Sequence, residues 1–164
     1  MSISSLDRIV RNIKKRDHEE ASEAYKAQVR DHFFNRLTRD NDNEKAILRH
    51  WGYAFNYTND VLQTRWPAFE KVMRETEPKQ DQLRARSAYN YAAYIVEERM
   101  PELEKHIATD AMAAVDYAKK VLGRAWNSDD EYGDIANRTI AKHPTPLITY
   151  EREIPQGRAM TPGM

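Results

Sequence analysis

Ala54-Phe55-Asn56-Tyr57-Thr58-Asn59-Asp60-Val61-Leu62-Gln63-Thr64-Arg65-Trp66-Pro67-Ala68-Phe69-Glu70 is one wording of a phrase that the chain uses three times. The second wording, Ala88, Tyr91, Ile95, Val96, Arg99, Met100, Pro101 and Glu104, keeps every interval of Ala54, Tyr57, Val61, Leu62, Arg65, Trp66, Pro67 and Glu70. The third opens with Ala114, Tyr117, Val121 and Leu122, then slips by one residue to Arg124 and carries Trp126. Alanine, tyrosine and the aliphatic pair share one helix face, because offsets of 3, 7 and 8 return to the same side of a helix. Alanine lets a neighbouring helix come close, and tyrosine fills the wider gap a turn later. The arginine suits a helix C-terminus, and the proline opens the next helix at the position where its missing amide costs nothing. Trp66 or Met100 plugs the seam.

From Tyr57 to Tyr91 is 34 positions and from Tyr91 to Tyr117 is 26, so the first interval carries eight extra residues, assigned to the region of Lys79 to Gln82. Units of this kind bury their apolar faces against their neighbours, and about three are needed for stability. The pattern predicts an all-α fold, a small helical-repeat, solenoid-like bundle of about 7–8 helices with an extended C-terminal tail. A single helical domain is expected over 1–142, with cap helices over 1–40, the repeat region over 44–126, a C-terminal cap helix over 128–142, and the tail over 143–164.

Working outward, Ser4 or Ser5 caps a first helix with Leu6, Ile9, Val10 and Ile13 at helical spacing, ending at Lys14-Lys15-Arg16, where cations suit the dipole. A second segment carries Ala21, Ala24, Tyr25, Val29, Phe33, Phe34 and Leu37. Asp40-Asn41-Asp42-Asn43 is a loop rich in capping residues. One long helix is expected from Glu44 to Thr64, with Gly52 inside it, and others over roughly 80–98 and 111–124. Ser128 and Glu131 have the spacing of a capping box for a helix to Lys142. Four prolines after His143 predict the tail, with Leu147 to Tyr150 as its ordered piece.

With 40% hydrophobic and 32% charged residues, the 164-residue chain has the composition of a soluble helical domain. Only five glycines occur, too few for a sheet with many tight turns. The 26 basic and 26 acidic residues cancel, so no global surplus of positive charge points to phosphate binding. The absence of cysteine excludes disulfides, thiolate metal sites and cysteine nucleophiles, and fits a reducing compartment. The opening Met1-Ser2-Ile3-Ser4-Ser5 has no basic region followed by an apolar run, and no stretch nears the ~20 apolar residues of a membrane span. A cytoplasmic protein without membrane contact is expected.

The wording Tyr-Ala-x-x-Val-x-x-x-Arg-Trp-Pro-Glu-x-Glu resembles a short helical repeat of proteins from tailed bacteriophages. Arg65 to Glu70, Arg99 to Glu104, Tyr91-Ala92, Tyr117-Ala118, Ile107 and Asp110 carry the resemblance, which covers residues 46 to about 126. The third copy departs from it by lacking Pro and Glu after its tryptophan, as a terminal repeat would. The resemblance implies a phage-encoded protein acting in the bacterial host cytoplasm or in a virion.

Chemistry is sparse. His18, His32, His50, His106 and His143 form neither a His-Glu-x-x-His nor a Glu-x-x-His pattern. Asp129-Asp130-Glu131-Tyr132-Gly133-Asp134 is dense enough in carboxylates to suggest a divalent cation and hence a metal-dependent hydrolase, yet its spacing is not that of a calcium loop, and helix capping accounts for it without metal. No Gly-rich phosphate loop or Gly-x-Ser-x-Gly turn occurs. Basic clusters at Lys14, Lys15, Arg16 and at Arg84, Arg86 are the candidate phosphate contacts. Aromatic residues crowd the repeat, and Tyr53, Tyr89 and Tyr94, with Arg65 and Arg99 at the corners, are the candidate partner-binding residues.

The sequence thus predicts a non-enzymatic protein that binds another protein, a host defence or regulatory factor or a virion component, through its helical surface. Homo-oligomerisation is a second form of such binding, and no cofactor or metal ion is expected. A nucleic-acid-associated regulator ranks second and a metal-dependent hydrolase third.

Overall fold

The computed structural model describes residues 5–34 and 39–156. Among the described residues the chain forms nine α-helices and no strand, an all-α bundle as the periodicity predicts. Ser4, Leu37 and residues 157–164, with the side chains of Leu6, Phe33 and Phe34, lie outside the described residues. Two compact units are present, Met1–Val72 and Met73–Met164.

The first unit opens with a single 30-residue helix, α1 (Ser5–Phe34), where two helices are expected. No glycine or proline interrupts it, and Lys15–Glu19 at 3.9 Å and Arg16–Glu20 at 3.8 Å span the predicted break. Such pairs one turn apart favour a continuous helix. Its C-terminal half buries Ala21, Ala24 and Gln28 against α2 (Asn41–Leu48) and α3 (Trp51–Tyr57).

The long helix predicted from Glu44 to Thr64 is broken at His50. His50 adopts an extended backbone, φ −128 and ψ 104, and caps α3, its Nδ1 accepting the Tyr53 N–H at 3.3 Å. Asp40 caps α2 in the same way through Asn43 N–H at 2.9 Å. Gly52 therefore lies in the first turn of α3, not in a helix interior, and the helical propensity it would cost there is small. After Tyr57 the helix widens into a π turn over Thr58–Leu62, and Gln63 ends it in the left-handed region at φ 52. Pro67 then opens α4 (Pro67–Glu75). Trp66 is buried in the corner, its ring 5.0 Å from Tyr57 and 6.1 Å from Phe69.

In the second unit Asp81 caps α5 (Gln82–Asn90), which widens into a π turn over Tyr91–Val96 and ends at Glu97, φ 59. Pro101 opens α6 (Pro101–Ile107). Asp110 caps α7 (Ala111–Tyr117), followed by a π turn over Ala118–Leu122 and Gly123 at φ 64. The repeat is thus visible in local structure. Each copy has a capped helix, a fully buried tyrosine (57, 91 or 117), a π turn, one left-handed residue, and an arginine corner with a buried plug, Trp66, Met100 or Trp126.

The chain after Trp126 departs from expectation. The capping box of Ser128 and Glu131 does not form. Asn127 instead organises a tight turn, its Oδ1 accepting the N–H groups of Asp129 and Asp130 at 3.0 and 3.2 Å. The helix, α8 (Gly133–Ala141), starts beyond it. A Cβ at Gly133 would lie 1.9 Å from the Asn127 carbonyl oxygen, so this turn admits no side chain there. Residues 144–153, expected to be extended, form α9 (Pro144–Glu153). Pro144 and Pro146 both sit in its first turn, where proline leaves no helical bond unmade.

Left-handed backbone suits glycine, and at other residues it costs about 1 kcal/mol. Gln63→Gly and Glu97→Gly are each expected to raise the unfolding free energy by roughly 0.5–1 kcal/mol, and Gly123→Ala to lower it by about 1 kcal/mol. Urea denaturation of the three variants checks this. A Cβ at Gly123 has open space, so backbone strain alone sets its sign.

Candidate interaction site

The arginine corners, read as partner-binding, are occupied from within. Arg65 chelates Glu70 through Nε and Nη2 at 2.7 and 2.8 Å, and Arg99 chelates Glu104 at 2.7 and 3.1 Å. A third pair with the same five-residue spacing, Arg39 with Glu44 at 2.6 and 3.1 Å, lies ahead of the first corner. Its Arg-x-x-x-x-Glu interval is the signal that marks it in the sequence. Tyr57 donates its hydroxyl to Glu44 at 2.8 Å, and Tyr117 donates to Glu104 at 3.0 Å. Burial, with the adjacent carboxylate, pushes both phenols well above the ordinary tyrosine range. They stay neutral donors.

In the third copy Asp130 replaces the glutamate. Arg124 chelates it with two bonds of 2.8 Å, and Arg99 Nη2 reaches it at 2.9 Å. The Asn127 N–H adds a fourth bond at 3.0 Å. Asp130 is the buried carboxylate of the acidic stretch, and its lone pairs are committed to guanidinium groups rather than turned to a cation. Among the described residues no group of three His, Cys, Asp or Glu side chains is placed to hold a metal ion.

The tyrosine candidates divide. Tyr89 is buried, its ring 6.2 Å from Tyr94 and with the Arg86 guanidinium 5.5 Å above it, so it offers no surface to a partner. Tyr53 is half-buried among His18, His50 and Tyr25, at centroid distances of 5.3, 4.6 and 5.8 Å. Tyr25 donates to Asp60 at 2.9 Å, and burial followed by that bond pushes it up to about 12. Tyr94 alone of the three is open, 51% exposed, with Lys120 Nζ 5.0 Å from its ring centre. The basic candidates of the second unit are paired as well, Arg84 with Asp81 at 3.8 Å and Arg86 with Asp116 at 2.6 Å. His106 is buried and donates its Nε2–H to the Met73 carbonyl at 2.6 Å, and burial lowers its basicity. It is a structural histidine.

Beside Tyr94, the N-terminal third of α1 is open. Residues 7–16 are all exposed, on every side of the helix. Ile9, Val10 and Ile13, at helical spacing in the sequence, stand 56, 44 and 45% exposed. Periodicity showed that they share a face, but it carries no information on what covers that face. Ile9, Asn12, Ile13 and Arg16 line one shallow side of the helix. Around them Arg8, Arg11, Lys14, Lys15 and Arg16 face the single carboxylate Asp7, a net charge of +4 over ten residues of a chain that is neutral overall.

Comparison with protein-family models, curated proteins and solved structures gives no match. The chemistry therefore rests on the geometry. A helix with an aliphatic stripe and a cationic flank, continuous with a packed half, can dock by its face and needs no pocket of its own. Among the described residues no helix is long and apolar enough to cross a membrane.

Proposed function

We propose that the chain is a non-enzymatic binding protein that offers the first three turns of α1 to another protein. The observation that carries this reading is that Ile9, Val10 and Ile13 lie on a helix where no described residue buries them, while the second half of that helix is packed. Covering three aliphatic side chains from about half exposure is worth roughly 1 kcal/mol each, a contribution of about 3 kcal/mol to an association. The arginine–carboxylate pairs, with Tyr57 on Glu44 and Tyr117 on Glu104, then serve to hold each unit together. The resemblance to repeats of tailed-phage proteins supports a host defence or regulatory factor, or a virion component, as the partner.

Affinity co-purification from the producing cell tests the reading. The wild-type chain is expected to bring down one stoichiometric protein, and Ile9→Glu with Ile13→Glu is expected to lose it at unchanged helical content. Retention of that protein by the double variant moves the interface elsewhere on the molecule. A second reading, contact with nucleic acid, is favoured by the same five cations; it requires a band shift whose strength falls steeply as salt rises.

A further inference from the structure

The geometry points to the surface that receives α1: an apolar groove of a different protein that takes Ile9, Val10 and Ile13 and is rimmed by carboxylates that meet Arg8, Arg11 and Lys14. This rests on the protein-binding reading above and gives its partner a chemistry.

The aliphatic stripe stops before the packed half of α1. Ile9 and Ile13 are one turn apart and Val10 lies beside them, but Asp17, one further turn along the same side, ends it. Anchors at i, i+1 and i+4 match a helix laid in a groove. A lipid surface would have to accept Asp17 at the depth of the stripe, and residues 7–16 contain no aromatic side chain to sit at the headgroup level. A nucleic acid duplex would use the cations and leave the stripe in water.

A second copy of this chain fits poorly. Pairing residues 7–16 with themselves sets five cations against five. An antiparallel offset that brings the basic segment onto Asp17, Glu19, Glu20 and Glu23 lays Ile13 against Glu20 and Ile9 against Ala24, which is already buried in its own unit. Pairing α1 with α1 of a second copy cannot satisfy charge and apolar contact together. An acidic rim around an apolar floor satisfies both.

Of the cations, Lys15 and Arg16 have weak helical partners in Glu19 and Glu20, at 3.9 and 3.8 Å across exposed side chains. Arg8, Arg11 and Lys14 set the salt dependence.

Titration against three probes tests the inference: a synthetic acidic heptad peptide with Leu and Ile at its apolar positions and Glu flanking them, the same peptide with Lys in place of Glu, and vesicles of phosphatidylcholine and phosphatidylglycerol. The acidic peptide is expected to bind, to weaken roughly tenfold between about 50 and 300 mM salt, and to be lost with Ile9→Glu/Ile13→Glu. Arg8→Glu/Arg11→Glu/Lys14→Glu should weaken it by a similar factor and let the Lys peptide bind instead. Equal binding of both peptides, binding of neither, binding to the vesicles, or a dimer in sedimentation overturns the inference. If the co-purified protein still depends on Ile9 and Ile13 in such a case, the protein-binding reading stands and only the acidic rim is wrong.

Discussion

Asp130→Ala is expected to lower the unfolding free energy by about 3 kcal/mol, read as a fall in Tm of roughly 6–12 °C by calorimetry. The side chain is 3% exposed and takes bonds from Arg124, Arg99 and the Asn127 amide. Removing it leaves two guanidinium groups facing each other, together with Glu104 as their remaining carboxylate. The figure sits at the low end for breaking a buried pair, because Arg99 and Arg124 keep 38 and 35% of their own side-chain surface in water. Asp130→Asn, which keeps the shape and the Asn127 bond, should cost about half as much. The same site predicts the acid response. Arg124 above all, with the Asn127 amide and Arg99, holds the Asp130 carboxyl at about 2, below its ordinary 3.8. The unfolded chain therefore binds the proton first as pH falls. The contribution of Asp130 is complete above about pH 3.8 and is lost as pH falls through about 2, and Asp130→Asn should flatten that limb of the stability profile.

Trp66→Ala is expected to cost about 3–5 kcal/mol, the range for removing a large aromatic from a core. Trp66 is 1% exposed and fills the first corner between Tyr57 and Phe69. Trp66→Met imitates the second corner, where Met100 is buried at the same register position, and should recover more than half of the loss. Equal destabilisation by alanine and methionine would mean that the two corners are not variants of one packing solution. Guanidinium denaturation measures both.

The three tyrosines show what is legible in this sequence. Tyr57, Tyr91 and Tyr117 are named by spacing alone, and each is fully buried at the entry to a π turn. Apolar periodicity survives translation into structure because it reflects burial directly. Helix ends are read less well, because the same residue types mark ends and middles. Lys14-Lys15-Arg16 has the charge of a helix terminus, yet acidic residues one turn on make it a helix interior. His50 hides an N-cap inside an unbroken apolar pattern. Its position, six residues after Glu44 as Asp110 is six after Glu104, was the available signal. Pro144 and Pro146 read as breakers, and only their place in a first turn makes them helix-compatible.

The candidate site was legible in its residue types and not in its location. Arg65 and Arg99 pair with glutamates five residues on, a spacing present in the sequence, and Tyr89 turns inward. Ile9, Val10 and Ile13 are legible in the sequence as one helix face. Coverage depends on which surfaces come together, and no local pattern encodes it.

A photoreactive residue placed in turn at 9, 13, 94 and 148, all exposed apolar positions, tests the central claim most directly when illuminated in the producing cell. A discrete adduct of one partner protein from positions 9 and 13, with none from 94 or 148, is the predicted result. Adducts confined to 94 or 148 would contradict it and place the working surface away from α1.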